Sequence, residues 1–129
     1  MNISIPISII TAKSGKGKRY YLNLNNYRNW HYQTSNAIKT KYCESLESIL
    51  KDVKLSTPIE LHFILWNGSK RKIDRANIIS IVEKNLCDAL THYKCIEDDS
   101  DDYISSSHYI TGGIDKENPR CDVIIIENK

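Results

Sequence analysis

The chain has no apolar run approaching the roughly 18 residues that a membrane-spanning helix requires, and no positively charged leader precedes its first apolar stretch. A soluble, cytoplasmic protein with no membrane partner is therefore expected. The four cysteines, Cys43, Cys87, Cys95 and Cys121, include no C-x-x-C pair and have no histidines at zinc-ligand spacing. That argues against a zinc knuckle and against a disulfide framework, leaving free thiols. Internal repeats and low-complexity tracts are absent. No large excess of one charge exists either: 18 basic residues stand against 16 acidic ones, a formal net charge of +2, so bulk electrostatics alone do not announce a nucleic-acid partner. The stretch Lys13 to Arg19 contains Gly-Lys-Gly-Lys but not the G-x-x-x-x-G-K-[ST] pattern of a phosphate-binding loop, so nucleotide hydrolysis is not expected.

What the chain does have is segregated charge. Basic residues gather at Lys13 to Arg19 and at Lys70, Arg71 and Lys72, and acids gather from Glu97 to Asp102. At 129 residues the length fits one domain, residues 1–129, with a modest core and little room for a deep private pocket.

Ile3, Ile5, Ile7 and Ile9 alternate with polar residues or proline, the period-two pattern of a strand with one buried face, and Pro6 makes it an edge or bulged strand. The glycine-rich basic run after it reads as a loop, and Tyr20 to Tyr32 as a short strand running into an irregular segment. Apolar residues from Gln33 to Val53 recur at three- and four-residue steps, supporting a first helix. Pro58 to Trp66 alternates as a core strand, and Asn67 to Lys72 forms a basic turn. Asp74 is placed to cap a second helix from Arg75 to Tyr93, whose apolar stripe is Ile78, Val82, Leu86, Ala89, Leu90 and Tyr93. Strands Tyr103 to Thr111 and Cys121 to Ile126, joined by a turn-rich segment around Gly112-Gly113 and Asn118-Pro119, complete the chain. The order β, α, β, α, β, β predicts an α+β domain with two helices packed on one mixed sheet.

On the second helix, Asn77, Lys84 and Asp88 fall within roughly 20° of one direction at the rim of the apolar face. Asp74 stands one turn ahead of them, and Glu97 to Asp102 follows the helix. Two carboxylates converging with a lysine suit phosphodiester cleavage: hard oxygens hold Mg²⁺ or Mn²⁺, the ion lowers the pKa of a bound water, and the lysine offsets charge in the transition state.

The stretch Lys72-Ile-Asp-Arg-Ala-Asn77, then Lys84, Asp88-Ala-Leu90 and Glu97-Asp-Asp99 resembles the pattern of RusA-type Holliday junction resolvases: Asp-x-Asp-Asn, a helix with an inward lysine, Asp-Ala-Leu, and Asp-Asp before a strand. Asn23 to Tyr32 is similar to the family's Asn- and aromatic-rich amino-terminal segment, so the similarity covers most of the chain from Tyr20 onward. The resemblance implies a homodimer with a RusA-like fold that binds four-way junctions and nicks two symmetric strands with divalent metal. By it, Asp74 matches the first metal-binding aspartate, Asn77 the asparagine after the second, Lys84 the catalytic lysine, and Asp99, with its neighbour Asp98, the carboxylate that closes the site. One position departs from the pattern. Ala76 stands where the second aspartate belongs, and loss of a hard ligand weakens Mg²⁺ binding unless Asp98, Asp101 or Asp102 substitutes.

Plainer roles compete at each position. Asp74 is also a helix cap, Lys84 with Asp88 an i, i+4 ion pair, and Glu97 to Asp102 a charged turn. Lys70, Arg71 and Lys72 beside Asp74 are suited to hold phosphates, with Lys16, Lys18, Arg19, Arg28 and Asn77 as further contacts to DNA. Tyr27, Trp30 and Tyr32 either stack on unpaired bases or pack in the core or a dimer contact. His31, His62, His92 and His108 show no ligand spacing and receive no chemistry. Two functions follow: a Mg²⁺-dependent endonuclease acting on branched DNA in recombination and repair, with Asp74, Lys84 and Asp99 catalytic, or a junction-binding protein of the same fold disarmed by Ala76.

Overall fold

In the first nine residues, one proline divides what the isoleucine alternation would otherwise make a single strand. Pro6 has no backbone N–H and cannot continue a ladder, so β1 (Asn2–Ile5) and β2 (Ser8–Ala12) enter different sheets. The computed structural model describes residues 1–12 and 17–128. In it β1 pairs with the last strand, β6 (Arg120–Ile126), while β2 pairs antiparallel with β3 (Gly17–Tyr21). Gly17, Lys18 and Arg19 thus lie in a strand rather than in the expected loop. The strand is held in part by Arg19 Nη1 donating to Ser8 Oγ at 2.7 Å and by Lys18 Nζ 5.1 Å from the centre of the Tyr20 ring. Lys16 lies outside the described residues.

Leu24 to Asn29 is helical where an irregular stretch was expected. Asn23 accepts from the Asn26 backbone N–H at 2.8 Å and caps α1 (Leu24–Asn29). The expected helix from Gln33 to Val53 is broken. It divides into α2 (Tyr32–Ser45) and α3 (Glu47–Leu50), and Ser45 Oγ donates back to the Tyr42 carbonyl at 2.6 Å beside the break, a local bond that competes with the helical ladder. The second expected helix forms as α4 (Arg75–His92), with Asp74 accepting from the Ala76 N–H at 3.0 Å. Among the described residues there are thus four helices, not two.

Strand β4 (Ile59–Asn67) is central. It runs parallel to β5 (Ile104–Ile114) on one side and antiparallel to β6 on the other, giving a mixed sheet in the order β1-β6-β4-β5. Gly112 and Gly113 belong to β5 rather than to a turn. A Cβ at Gly112 would lie 2.8 Å from both Ile64 Cγ2 and Trp66 Cε2, and Gly113 has φ +142° beside a register shift, so both glycines permit close strand approach. The inner sheet face, with Leu61, Phe63, Val123 and Ile125, packs on Tyr42, Ile79, Val82, Leu86 and Leu90 of the helices to form the buried core. Glu60, His62, Ile64 and Trp66 alternate onto the outer face. The chain is therefore α+β with helices on one face of a mixed sheet. Among the described residues no helix is long and apolar enough to cross a membrane.

Candidate active site

Helix α4 carries its buried stripe against the sheet and leaves two polar edges, one toward β5 and one toward α2. Along the first edge, Ser80, Glu83, Lys84 and Cys87 line an open groove of about 360 Å³, closed on its other side by Asp99, Asp101 and Ser105 to Ser107. The β5 side is fixed by Tyr109, whose hydroxyl donates to Glu83 Oε1 at 2.7 Å. The other carboxylate oxygen, Glu83 Oε2, and the Ser80 hydroxyl are buried and have no hydrogen-bond partner within the protein. Both atoms lie buried beneath the groove wall, so leaving them unpartnered is costly, and a side-chain rotation is needed to present them to a ligand.

Lys84 is exposed at the rim of the groove. The ion pair with Asp88 does not form. Asp88 instead pairs with Lys39 of α2 at 3.3 Å, and among the described residues no carboxylate lies within 4.0 Å of the Lys84 ammonium. Asp99 lines a second groove as well, of about 550 Å³, with Asp88, Thr91 and His92 of α4 and Lys39 of α2. It therefore stands where the two polar edges meet. Burial, together with the charges of Glu83, Asp99 and Asp88, pushes the Cys87 thiol up to about 12, which records the carboxylates gathered around this part of the helix.

Asp74 does not join them. It is an exposed N-cap, and Ser80, the groove residue nearest to it in sequence, lies about 9 Å further along the helix axis. Asp74, Asp98 and Asp99 do not form a group with ligand atoms within 4.8 Å of one another; among the described residues the one such group is Glu60, His62 and His108. The expected trio is therefore not assembled, because Asp74 and the acidic turn contact different levels of α4. Asp98 is exposed on that turn beside Glu97, whose carboxylate accepts from Tyr103 at 2.9 Å. Glu83 was missed because the predicted stripe centred on Asn77, Lys84 and Asp88. Glu83 projects about 100° away from Lys84, toward β5.

Lys70, Arg71 and Lys72 are exposed between β4 and α4. Arg71 joins Lys116 in a groove of about 490 Å³ that also contains Asn67 and Ser69, so a basic surface lies at the amino end of α4 and an acidic one along its later turns. Asn77 is half-buried in the first turn, its N–H donating to the Asp74 carbonyl at 3.0 Å, and Arg28 is exposed in α1. Tyr27 and Trp30 are packing residues: Trp30 meets Tyr20 and Tyr27 edge-on at 5.9 and 6.3 Å, and all three lie against the core. Tyr32 stays exposed, beside His31. Among the described residues the four cysteines are free thiols.

No protein-family model matches the chain, and no curated protein is significantly similar to it.

Proposed function

We propose that this chain is a metal-dependent endodeoxyribonuclease of the RusA type, acting as a homodimer that nicks four-way and other branched DNA. The observation that carries the reading is the groove beside α4, where Lys84 shares one open surface with Glu83, Asp99 and Asp101 and where a carboxylate oxygen and a hydroxyl are buried without partners. A groove this open admits a backbone phosphate, which an enclosed pocket would not.

The groove's donors are all oxygen, the chemistry a hard cation takes, although Glu83, Asp99 and Asp101 do not together bring ligand atoms within 4.8 Å of one another. Mg²⁺ keeps several waters and commonly needs only one or two protein carboxylates, so the absence of a preassembled three-acid cage among the described residues is compatible with it. Asp99 and Glu83 would hold the ion, and Glu83 Oε2 would then gain the partner it lacks. Glu83 thereby supplies the carboxylate missing at Ala76, two turns later on the same helix. When bound, Mg²⁺ or Mn²⁺ activates a water and offsets charge at the scissile phosphate. Lys84 donates to a non-bridging phosphate oxygen as negative charge builds on it. Lys70, Arg71 and Lys72 hold the flanking backbone without reading sequence. Asp74, a ligand by the resemblance, serves here as the cap of α4.

A second reading, junction binding without cleavage, is favoured by the failure of Asp74, Asp98 and Asp99 to form a ligand group. Incubation with an end-labelled four-way junction and Mg²⁺ or Mn²⁺ separates the two. Paired incisions in opposing strands, lost in Asp99→Asn and in Lys84→Ala, are expected. A gel shift with every strand intact would replace the nuclease by the binder.

A further inference from the structure

Strand β4 places Glu60 and His62 two residues apart, hence on one face, and the parallel register sets His62 directly beside His108 of β5. Phe63 and Tyr109, the next pair along, meet edge-on at 5.8 Å, and Tyr109 reaches Glu83 of α4. His62 and His108 therefore occupy the opposite, outer side of the sheet from the Tyr109–Glu83 contact, with His108 Nε2 also 3.3 Å from the hydroxyl of Ser106, a residue at the edge of the α4 groove. Their imidazoles stack at 4.3 Å with planes 17° apart, and both Nε2 atoms approach the same oxygen, Glu60 Oε1, at 3.0 and 3.2 Å.

We propose that Glu60, His62 and His108 form a binding site for a divalent transition-metal ion of the zinc class. Ligand atoms bonded to one tetrahedral ion at 2.0–2.1 Å lie about 3.3 Å from each other, close to both carboxylate–imidazole spacings seen here. All three ligand atoms fall within 4.8 Å of one another, so small side-chain rotations suffice and the backbone need not move. Two imidazoles and one carboxylate select a borderline ion such as Zn²⁺, Co²⁺ or Ni²⁺ over Mg²⁺, which prefers oxygen alone. The three side chains are 38, 24 and 47 % exposed in the order Glu60, His62, His108, leaving at least one coordination position open to water. Three protein ligands with an open position make a site able to take an exogenous ligand, unlike a closed structural centre. Its residues do not overlap those of the proposed nuclease groove, and it stands if that reading falls.

The test is titration of the tag-free, chelator-stripped full chain with Zn²⁺ by calorimetry and with Co²⁺ by visible absorption. One high-affinity equivalent of each ion per chain is expected, distinct from any weaker uptake at Glu83 and Asp99, with Co²⁺ giving d–d bands of nitrogen and oxygen ligation. Affinity should fall at least about ten-fold in His62→Ala and in His108→Ala, and fall also in Glu60→Gln, which keeps size and stacking. It should be unchanged in Glu83→Gln and Asp99→Asn. Circular dichroism of each variant shows that its fold is retained. Three results would each overturn the site: no saturable uptake, equal uptake by the two histidine variants while folded, or a thiolate-to-cobalt band marking cysteine ligation instead.

Discussion

Glu83→Gln is the substitution in which stability and activity should move in opposite directions. Glu83 Oε1 is held by the Tyr109 hydroxyl at 2.7 Å while Oε2 is buried without a partner within the protein. Replacing the carboxylate by an amide weakens the tyrosine bond from charge-assisted to neutral, a loss of about 1 kcal/mol. It also removes an unpartnered anionic oxygen, a gain of about 1–3 kcal/mol. Ser80, three residues back on the same helix, holds the other buried atom without a partner, and the two side chains do not hydrogen-bond to each other. The net effect is a stabilisation of about 0–2 kcal/mol. In a chain of 129 residues each kcal/mol moves Tm by about 4 °C, so melting in EDTA should rise by up to about 8 °C. With Mg²⁺ at ten times its Kd, the wild-type protein should gain about 1.4 kcal/mol, or about 6 °C, and the variant nothing. Junction cleavage by the variant should fall by about a hundred-fold or more, as for loss of a metal-site carboxylate. Calorimetric melts with and without Mg²⁺, run beside the cleavage assay, measure all three. A variant that melts lower in EDTA, keeps its Mg²⁺ shift and still nicks junctions would refute the assignment of Glu83.

Asp74→Asn should leave both Tm and cleavage close to wild type, because asparagine caps a helix as well as aspartate and the proposed cation lies further along α4; loss of nicking by a folded variant would return the ion to the head of the helix. Gly112→Ala should destabilise the protein by about 1–3 kcal/mol in denaturant unfolding, since the new methyl would lie 2.8 Å from Ile64 and Trp66 side-chain atoms; unchanged stability would show that β5 lies further from β4. Burial holds the Cys87 and Cys121 thiols up at about 12, against about 8.5 in an unfolded chain. The stability they contribute is fully present below pH about 8.5 and is lost as pH rises through their folded values, by up to about 1.4 kcal/mol per pH unit for each thiol. Under reducing conditions Cys87→Ala should flatten the alkaline decline seen in melts between pH 7 and 10.5, and an unaltered slope would contradict it.

The elements governed by strong periodicity were legible in the sequence. Helix α4 and its cap at Asp74 follow from a 3.6-residue apolar stripe, and β4 from strict alternation around Leu61, Phe63 and Leu65. Tertiary pairing decided what was not legible. Lys18 and Arg19 read as loop because nothing local announces that β2 lies beside them, and Gly112-Gly113 read as a turn although the glycines serve close packing between two strands. The site divides in the same way. Lys84 and the acidic turn drew notice through charge and spacing, whereas Glu83 depends on which helix edge β5 covers. The pairing of His62 with His108 depends on a parallel register that no local pattern encodes.

The most direct measurement is the location of the cation itself, by anomalous diffraction from crystals of the chain soaked in Mn²⁺. The account predicts a peak in the groove beside α4, bonded to carboxylate oxygens of Glu83 and Asp99, with the Lys84 ammonium facing the same space. A peak at Asp74 with none beside Glu83, or a groove that stays empty at saturating Mn²⁺, would contradict it.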